Sequence, residues 1–190
     1  MSPYEVAGVL SGIVAVWLTT RENVWCWPTG IVSVLLYVVV FGRQKLYAGM
    51  GLQVVYAALA LYGWYEWLHG GSGHGPLAVS RAPAAAALPL ALAGLVVGLA
   101  LGLVLRSRTD AALPLWDAGT ASFSLVAQAM QTRKWWENWI VWIAVDVVLV
   151  GMYFAQGLYP TAALYAVYLG LAVTGLARWH RSLLAAEAAR

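Results

Sequence analysis

Hydrophobic residues in this chain gather into seven runs of about 20 residues, separated by charged or Gly/Pro-containing segments. A run of that length and polarity is typical of a helix that crosses a lipid bilayer. No basic segment precedes the first run and no small-residue cleavage site follows it, so we expect a permanent helix there and not a signal peptide. The pattern predicts seven transmembrane helices, over residues 3–20, 24–42, 46–67, 83–105, 111–131, 135–155 and 158–179.

Composition excludes most soluble classes of protein. Of the 190 residues, 62% are hydrophobic and 10% are charged, whereas soluble domains average about 45–50% and about 25%. The net charge of +3 is small and scattered, so no nucleic-acid partner is expected. Cys26 is the single cysteine, and neither a disulfide nor a metal site is predicted. The remaining class is an all-α integral membrane protein embedded in the lipid bilayer.

The runs and the segments between them divide this single membrane domain, residues 1–190, into five parts. In order they are a first triple-helix bundle, a Gly-rich linker predicted to be flexible, a linker helix, a second triple-helix bundle and a tail. The linker helix contains almost only Ala, Leu, Val and Gly, so it is expected to face lipid and to serve the topology. The parts cover residues 1–68, 69–82, 83–105, 111–179 and 180–190.

Basic residues at the ends of the spans predict the orientation, because Lys and Arg are enriched in cytoplasmic loops. Seven of them share a side with the C-terminus and four lie on the other side. The C-terminus is therefore expected in the cytoplasm. The seven are Arg21, Arg81, Arg133, Lys134, Arg178, Arg181 and Arg190, and the four are Arg43, Lys45, Arg106 and Arg108.

The two halves of the chain repeat each other. With an offset of 112 residues, positions 4–67 align with positions 116–179 without a gap, and 17 of the 64 pairs are identical. Apolar bias does not pair Arg, Tyr and Trp, as in Arg21/Arg133, Trp27/Trp139, Tyr56/Tyr168 and Trp67/Trp179. One stretch stays open, because Glu22-Asn23 matches Glu137-Asn138 better at an offset of 115, which would pair Trp27 with Trp142.

The repeat and the number of spans together predict the topology. Three helices reverse the direction of the chain, so the unpaired fourth span makes both copies run the same way. The result is a 3+1+3 arrangement of two parallel triple-helix bundles, as in transporters whose substrate site lies between repeats near the bilayer midplane. A duplicated membrane scaffold without a pore is the alternative, and the polar residues inside the spans argue against it.

Polar and aromatic side chains inside the spans form the candidate site, because polar groups are costly in lipid and tend to face a cavity or a partner. Helix–helix hydrogen bonding and packing is the alternative explanation. Helical spacing groups these side chains on the faces of four spans. They are Asn138, Trp139, Trp142 and Asp146 in span 6; Gln53, Tyr56 and Trp64 in span 3; Tyr165 in span 7; and a polar stripe of Asp117, Thr120, Ser124, Gln128 and Gln131 in span 5.

Other aromatic residues lie at span ends and fit an interfacial belt: Tyr4, Trp17, Trp25, Trp67, Trp116, Trp135, Trp136 and Trp179. The inner set indicates a ligand. Tryptophan faces attract cations and stack on flat rings. Amides and hydroxyls supply hydrogen bonds, and a carboxylate offsets a positive charge. The residues therefore favour a flat heteroaromatic small molecule with hydroxyls, cationic or neutral, such as a nucleoside or a vitamin.

The motifs of both halves resemble those of the Pnu family of bacterial vitamin transporters, whose best-known member type carries nicotinamide riboside. The likeness covers nearly the whole chain except span 4 and the tail. Its motifs are Trp27-Pro-Thr-Gly30, Leu46-Tyr47, Gln53, Tyr62-Gly-Trp-Tyr-Glu-Trp67, Thr132-Arg-Lys-Trp-Trp-Glu-Asn-Trp139, Trp142, Asp146, Gly157-Leu-Tyr159 and Leu164-Tyr165.

This resemblance implies the fold of the SWEET sugar transporters, a homotrimer, and a place in the bacterial inner membrane. It implies facilitated diffusion of an unphosphorylated vitamin that a cytoplasmic kinase then traps. It also implies a substrate site lined by Asn138, Trp139, Trp142, Gln53 and Tyr56. Members differ in substrate, so thiamine, riboflavin or a deoxynucleoside stays open beside nicotinamide riboside.

Two further classes are weighed against a transporter. A retinal protein needs a Schiff-base lysine in its last helix, and both lysines, Lys45 and Lys134, lie at span ends. An enzyme is not predicted, because the three histidines lie in the linker and the tail and no nucleophile has a base at a recognisable spacing. No cofactor is expected. A proton-coupled symporter with Asp117 or Asp146 as relay stays open.

Overall fold

Seven long α-helices make up the computed structural model, which describes residues 3–43, 45, 47–110 and 112–188. A short 3-10 turn, Ser72–His74, lies between the third helix and the fourth. Gln44, Leu46 and Ala111, which belong to predicted span ends and motifs, lie outside the described residues. The helices are α1 Pro3–Thr20, α2 Cys26–Arg43, α3 Tyr47–His69, α4 Ala84–Arg108, α5 Pro114–Thr132, α6 Asn138–Ala155 and α7 Tyr159–Ala188.

The all-helical fold is confirmed, and the helix bounds lie close to the predicted ones except at the C-terminal end. There α7 continues to Ala188, so residues 180–188, predicted as a tail, are helical. The extra turns are held because Leu183 is buried in the core and Glu187 forms an ion pair with Arg81 at 2.9 Å. Hydropathy could not show this, since the added turns contain more polar residues than a membrane span.

Five helices, α1, α2, α4, α6 and α7, are long and apolar enough to cross a membrane. The other two, α3 and α5, have 23 and 19 residues and are therefore long enough to span the hydrocarbon core, but they carry more polar side chains. In α5, for example, Ser122, Ser124 and Gln131 are buried against other helices. A polar helix face is tolerated in a membrane protein where it turns away from lipid.

Six of the helices form a closed ring. Within each half, α1 packs on α2 and α2 on α3, just as α5 packs on α6 and α6 on α7. The halves meet at two seams, where α1 contacts α7 and α3 contacts α5. Because the first helix of each half meets the third helix of the other, the two seams are equivalent in the repeat. The ring encloses the cavity that is described below.

Helix α4 lies outside the ring and packs on α5. Its contact face is a stripe of buried glycines, Gly94, Gly98 and Gly102, spaced four residues apart. Such small residues let two membrane helices approach closely, and the Ser122 hydroxyl donates a hydrogen bond to the Gly94 carbonyl at 2.7 Å. The other faces of α4 are largely exposed, as expected for a helix that faces lipid.

Two reciprocal hydrogen bonds join the halves. The Trp67 indole N–H in α3 donates to the Gln131 carbonyl of α5 at 3.0 Å. In the repeat-equivalent positions, the Trp179 indole N–H in α7 donates to the Thr19 carbonyl of α1 at 2.9 Å. Both pairs are related by the offset of 112 residues. The internal repeat is therefore present in the contacts between the halves, while the SWEET-like description of the topology stays a prediction.

The backbone at the α1–α2 and α5–α6 turns resolves the open register. Glu22 has a φ of 56° and Lys134 a φ of 51°, both in the left-handed region. The amide N–H after each residue bonds back in the same way, Asn23 to the Leu18 carbonyl and Trp135 to the Met130 carbonyl. All these positions differ by 112 residues, so the alternative offset of 115 is wrong at this turn and Trp27 corresponds to Trp139.

The linker between the halves is not flexible along its whole length. Residues 77–82, which we call the strap, run across the end of the bundle. The Leu77 N–H donates to the Trp67 carbonyl at 3.0 Å, and the Ser80 N–H donates to the Lys134 carbonyl at 3.1 Å. Val79 is buried in the aromatic core. Glycine-rich composition predicts flexibility, but these backbone bonds and one buried side chain fix the second half of the linker.

Candidate functional site

A cavity of about 290 Å³ lies inside the ring of six helices. Each ring helix contributes to its wall and α4 does not. The described residues that line it are Gly12, Ala15, Val16 and Thr19 from α1; Cys26, Trp27, Gly30, Ser33 and Val34 from α2; Tyr56 and Ala60 from α3; Ser124, Gln128 and Gln131 from α5; Trp139, Trp142, Asp146 and Leu149 from α6; and Tyr165, Tyr168 and Ala172 from α7.

Eight of the thirteen predicted site residues line this cavity: Trp139, Trp142, Asp146, Tyr56, Tyr165, Ser124, Gln128 and Gln131. The other five, Asn138, Trp64, Gln53, Asp117 and Thr120, do not. Asn138 is fully buried at the start of α6, where its amide donates to the Trp135 carbonyl at 2.6 Å. Trp64 packs against the aromatic core, and half-buried Gln53 lies outside the lining. Their substrate contacts, as predicted from helical faces and resemblance, remain untested predictions.

Sequence reasoning missed several lining residues that the repeat could have identified. Tyr168 and Trp27 are the repeat partners of the predicted residues Tyr56 and Trp139. Ser124 and Gln131, which were predicted as part of the polar stripe of span 5, do line the cavity. The stripe itself is split. Its later members face the cavity, whereas Asp117 is exposed in the first turn of α5. Asp117 is therefore not placed to act as a proton relay in this cavity.

Four buried tryptophans pack together, and two of them, Trp27 and Trp139, line the cavity. The rings of Trp27 and Trp67 meet edge to face with centroids 5.2 Å apart, and those of Trp139 and Trp179 do so at 5.4 Å. Trp67 and Trp179 join the two pairs at 5.7 Å. Both of these residues were expected in the interfacial belt, which is wrong because they are buried and bonded to the opposite half. We call this group the tryptophan layer.

Glycines make room for this layer. A Cβ atom at Gly175 would lie 2.5 Å from ring atoms of Trp139, and a Cβ atom at Gly63 would overlap the ring of Trp27. The two glycines are themselves repeat partners. Each half therefore seats its cavity tryptophan on a bare stretch of backbone in its third helix, which fixes the ring position by direct contact.

Asp146 provides the negative charge of the cavity. It is only 4% exposed, and it forms no salt bridge within the described part of the chain. Of the described residues that line the cavity, none is a Lys, Arg or His. A buried carboxylate without a cationic partner is costly. The site is thus suited to a ligand that brings its own positive charge.

The Trp142 ring is oriented by a hydrogen bond within the cavity. Its indole N–H donates to the side-chain oxygen of Gln131 at 3.3 Å. Trp142 is half-buried, so part of its ring stays accessible from the cavity. Tyr165 and Tyr168 line the same cavity as Asp146. Aromatic rings, amides and hydroxyls therefore share the cavity with the carboxylate.

Some repeat-equivalent positions that line the cavity are identical, such as Trp27/Trp139, and four others differ in chemistry. At these four pairs the first half has Gly or Val and the second half has a polar or large residue. At these positions α1 and α2 therefore leave space, and α5 and α6 place larger or polar groups in the cavity. The pairs are Gly12/Ser124, Val16/Gln128, Gly30/Trp142 and Val34/Asp146.

The described residues contain no group of three or more His, Cys, Asp and Glu side chains placed to hold a metal ion. Their arrangement around the cavity offers ring stacking, charge pairing and hydrogen bonding. These interactions suit the binding of a small molecule between the two halves of the ring.

Comparison with known proteins gives a family match. A family model described as "Nicotinamide mononucleotide transporter" matches residues 2–181. The match includes both triple-helix halves, the strap and α4. It therefore covers every element that lines the cavity.

Curated relatives of this chain are transporters. It is 29% identical to the nicotinamide riboside transporter PnuC of Escherichia coli K12, over 96% of this chain and 87% of that protein. It is 31% identical to the riboflavin/roseoflavin transporter RibM of Streptomyces davaonensis, over 92% of this chain and 83% of that protein.

A solved structure shares the fold. The crystal structure of the vitamin B3 transporter PnuC superposes with a TM-score of 0.73 at 22% identity, and the match covers 95% of this chain and 81% of that one.

Proposed function

We propose that this chain, which belongs to the nicotinamide mononucleotide transporter family, imports nicotinamide riboside across the bacterial inner membrane by facilitated diffusion. The protein is a multi-pass membrane protein, and its family consists of transporters. Nicotinamide riboside combines a flat cationic pyridinium ring with the hydroxyls of a ribose. The single observation that carries the proposal is the pairing of buried Asp146 with the accessible Trp142 ring in one cavity.

The roles of the side chains follow from this chemistry. The pyridinium ring stacks on Trp142, where cation–π attraction adds about 0.5–2 kcal/mol. Asp146 offsets the ring charge. Gln128 and Gln131 face the carboxamide or the ribose, since amides both donate and accept hydrogen bonds. The small and apolar residues Val16, Gly30 and Val34 of α1 and α2 leave room for the other face of the ligand.

Riboflavin is the second candidate, because RibM is 31% identical to this chain. The size of the cavity favours the smaller ligand. Its volume of about 290 Å³ lies at the lower limit of the roughly 300–1,000 Å³ of small-molecule pockets. Nicotinamide riboside has one six-membered ring, whereas riboflavin has three fused rings and no positive charge to pair with Asp146.

The charge of the lining also supports trapping of the product by a cytoplasmic kinase. A phosphorylated product carries negative charge. The described lining offers it Asp146 and no Lys, Arg or His, so the phosphate meets repulsion and no counter-charge. The carrier would then release the unphosphorylated vitamin and reject the product. Net uptake would need no coupled ion.

Charge placement supports the proposed orientation. Arg21, Arg178 and Arg181 lie at the same end of the bundle as the strap, where Lys134 bonds to the Leu77 carbonyl. Basic residues favour the cytoplasmic side, so the tryptophan layer would face the cytoplasm. Rocking of the two halves would open the cavity alternately to the two sides. A homotrimer is the assembly that the resemblance implies, and the mass of the detergent-solubilised complex measures it.

Uptake into proteoliposomes tests the proposal. The purified chain should take up radiolabelled nicotinamide riboside without an imposed gradient of protons, and internal unlabelled substrate should accelerate the exchange. Accumulation that depends on an inward proton gradient would indicate symport instead. Uptake of riboflavin or thiamine without uptake of nicotinamide riboside would show that the substrate assignment is wrong. Liposomes without protein provide the baseline.

Replacement of Trp142 by alanine tests the stacking role. We expect the affinity for nicotinamide riboside to fall by about 5- to 150-fold, which corresponds to the roughly 1–3 kcal/mol of a ring stacked on an aromatic side chain. Binding is measured on the detergent-solubilised protein. Trp25→Ala is the matched control, because that ring is 64% exposed and outside the cavity. Unchanged affinity with a lowered Tm would indicate that Trp142 serves packing alone.

A further inference from the structure

A second concave region lies at the seam between α1 and α7, outside the cavity. It is an open groove of about 540 Å³, lined by Thr20, Arg21, Glu22, Arg178, Arg181 and Ser182. We call it the arginine groove. The one carboxylate in it, Glu22, faces Lys134 with a closest approach of 3.9 Å. Three guanidinium groups therefore share the groove with an acid that already has a cationic partner.

The internal repeat allows this groove to be compared with the equivalent region at the α3–α5 seam. Position 133 is equivalent to position 21, and position 66 is equivalent to position 178. At the α3–α5 seam these positions hold Arg133 and Glu66, which form a salt bridge at 3.2 Å. At the α1–α7 seam the same two positions hold Arg21 and Arg178. An ion pair in one seam thus corresponds to a pair of like charges in the other.

The charges of the groove remain without an acidic partner in the described part of the chain. Neither Arg21 nor Arg178 forms a salt bridge there. Arg21 stacks over the Trp17 ring at 4.1 Å, and Arg181 donates from its side chain to the Ala177 carbonyl at 3.2 Å. These contacts orient two guanidinium groups without neutralising them. Like charges brought together repel unless an anion lies between them.

We propose that the arginine groove binds a phosphate group, which replaces the carboxylate present at the other seam. Guanidinium groups bind phosphate oxygens through paired, charge-assisted hydrogen bonds. Two sources share this chemistry, the headgroup of an anionic membrane lipid and a phosphate compound from solution. Basic pockets between membrane helices bind such lipid headgroups. A phosphate in the groove contacts residues of both α1 and α7, so it stabilises the contact between the halves.

Thermal stability of the purified full-length protein tests the proposal and separates the sources. One arm adds short-chain phosphatidylglycerol and compares it with short-chain phosphatidylcholine. The other adds sodium phosphate and compares it with sodium chloride at equal ionic strength. A rise in Tm with phosphatidylglycerol alone identifies a lipid headgroup, and a rise with phosphate identifies a solution ligand. No rise with either phosphate source would overturn the proposal.

Arg178→Glu is the informative variant, because it recreates the residue pair of the other seam. The new glutamate should pair with Arg21, so the protein should fold with an unchanged or higher Tm. For the phosphate source that raises the Tm of the unsubstituted protein, the rise in Tm of the Arg178→Glu variant should be smaller by roughly tenfold or more. Arg178→Gln serves the same purpose if the glutamate variant does not fold.

Arg108→Glu is the matched control, because it makes the same change of charge at an exposed site outside the groove, at the C-terminal end of α4. This variant should show the same rise in Tm as the unsubstituted protein. An equal loss of response in Arg178→Glu and Arg108→Glu would show that net charge alone governs the effect, and the groove would not be a specific site.

Discussion

Replacement of Asp146 by asparagine is expected to weaken the binding of nicotinamide riboside by about 10- to 100-fold, or about 1.4–2.8 kcal/mol. The change keeps the size of the side chain and removes the only negative charge among the described cavity residues. A buried charge that loses its partner is strongly destabilised, so the cationic ring would lose the group that offsets its charge. Binding of labelled ligand to the solubilised protein measures the effect.

A neutral analogue separates the charge from the shape of the ligand. Reduced nicotinamide riboside has the same ribose and carboxamide but an uncharged ring. Asp146→Asn should therefore lower the affinity for the oxidised ligand far more than the affinity for the reduced one. An equal loss for both ligands would contradict a charge-pairing role for Asp146.

The thermal stability of the Asp146→Asn variant provides a control for its folding. Asp146→Asn should leave Tm unchanged or raise it, because a buried carboxylate without a protein partner disappears. Asp117→Asn removes a carboxylate of the same type from the exposed first turn of α5, and it should alter neither affinity nor Tm.

Replacement of Gly175 by alanine should destabilise the protein by about 1–3 kcal/mol, the usual cost of overfilling a packed core. The added methyl group would lie 2.5 Å from the ring of Trp139. This ring cannot move away freely, since it is 1% exposed and packs edge to face on Trp179. Uptake should fall as well, because Trp139 also lines the cavity. Thermal unfolding and proteoliposome uptake measure the two effects.

Gly170→Ala is the control in the same helix, because a Cβ atom there meets nothing within 4 Å. This substitution should raise the free energy of unfolding by up to about 1 kcal/mol, since alanine is more favourable than glycine in a helix by that amount. Gly63→Ala should repeat the defect of Gly175→Ala in the first half, where the clash is with Trp27. Equal stability of the Gly175→Ala and Gly170→Ala variants would contradict the close contact between the Trp139 ring and the backbone at Gly175.

The helices and the repeat could be predicted from the sequence because their signals are local or statistical. Apolar runs define a helix in lipid by length alone. Identical residues at a fixed offset, such as Trp27 and Trp139, show a duplication without any knowledge of contacts. The cavity residues of α6 could be found for a similar reason, since Trp139, Trp142 and Asp146 lie on one helical face.

The features that were missed depend on partners far away in the chain. Trp67 lies at the end of a span, where hydropathy assigns a tryptophan to the interface. Its burial depends on a carbonyl 64 residues later, at Gln131. The strap was missed for the same reason, because its backbone partners belong to Trp67 and to Lys134 in the other half. Helical spacing also placed Asn138 beside Trp142, but only the folded helix shows that its amide bonds to Trp135.

The reciprocal hydrogen bonds of Trp67 and Trp179 also bear on how this duplicated chain could have evolved. A contact in which each half donates to the other is what a symmetric dimer of two identical three-helix chains would use. In such a dimer every wall residue occurs twice, so an aspartate at the position of Asp146 would face its own copy across the cavity. Fusion into one chain removes that constraint. Valine can then occupy position 34 while aspartate occupies position 146, and a symmetric frame can hold an asymmetric ligand in one orientation.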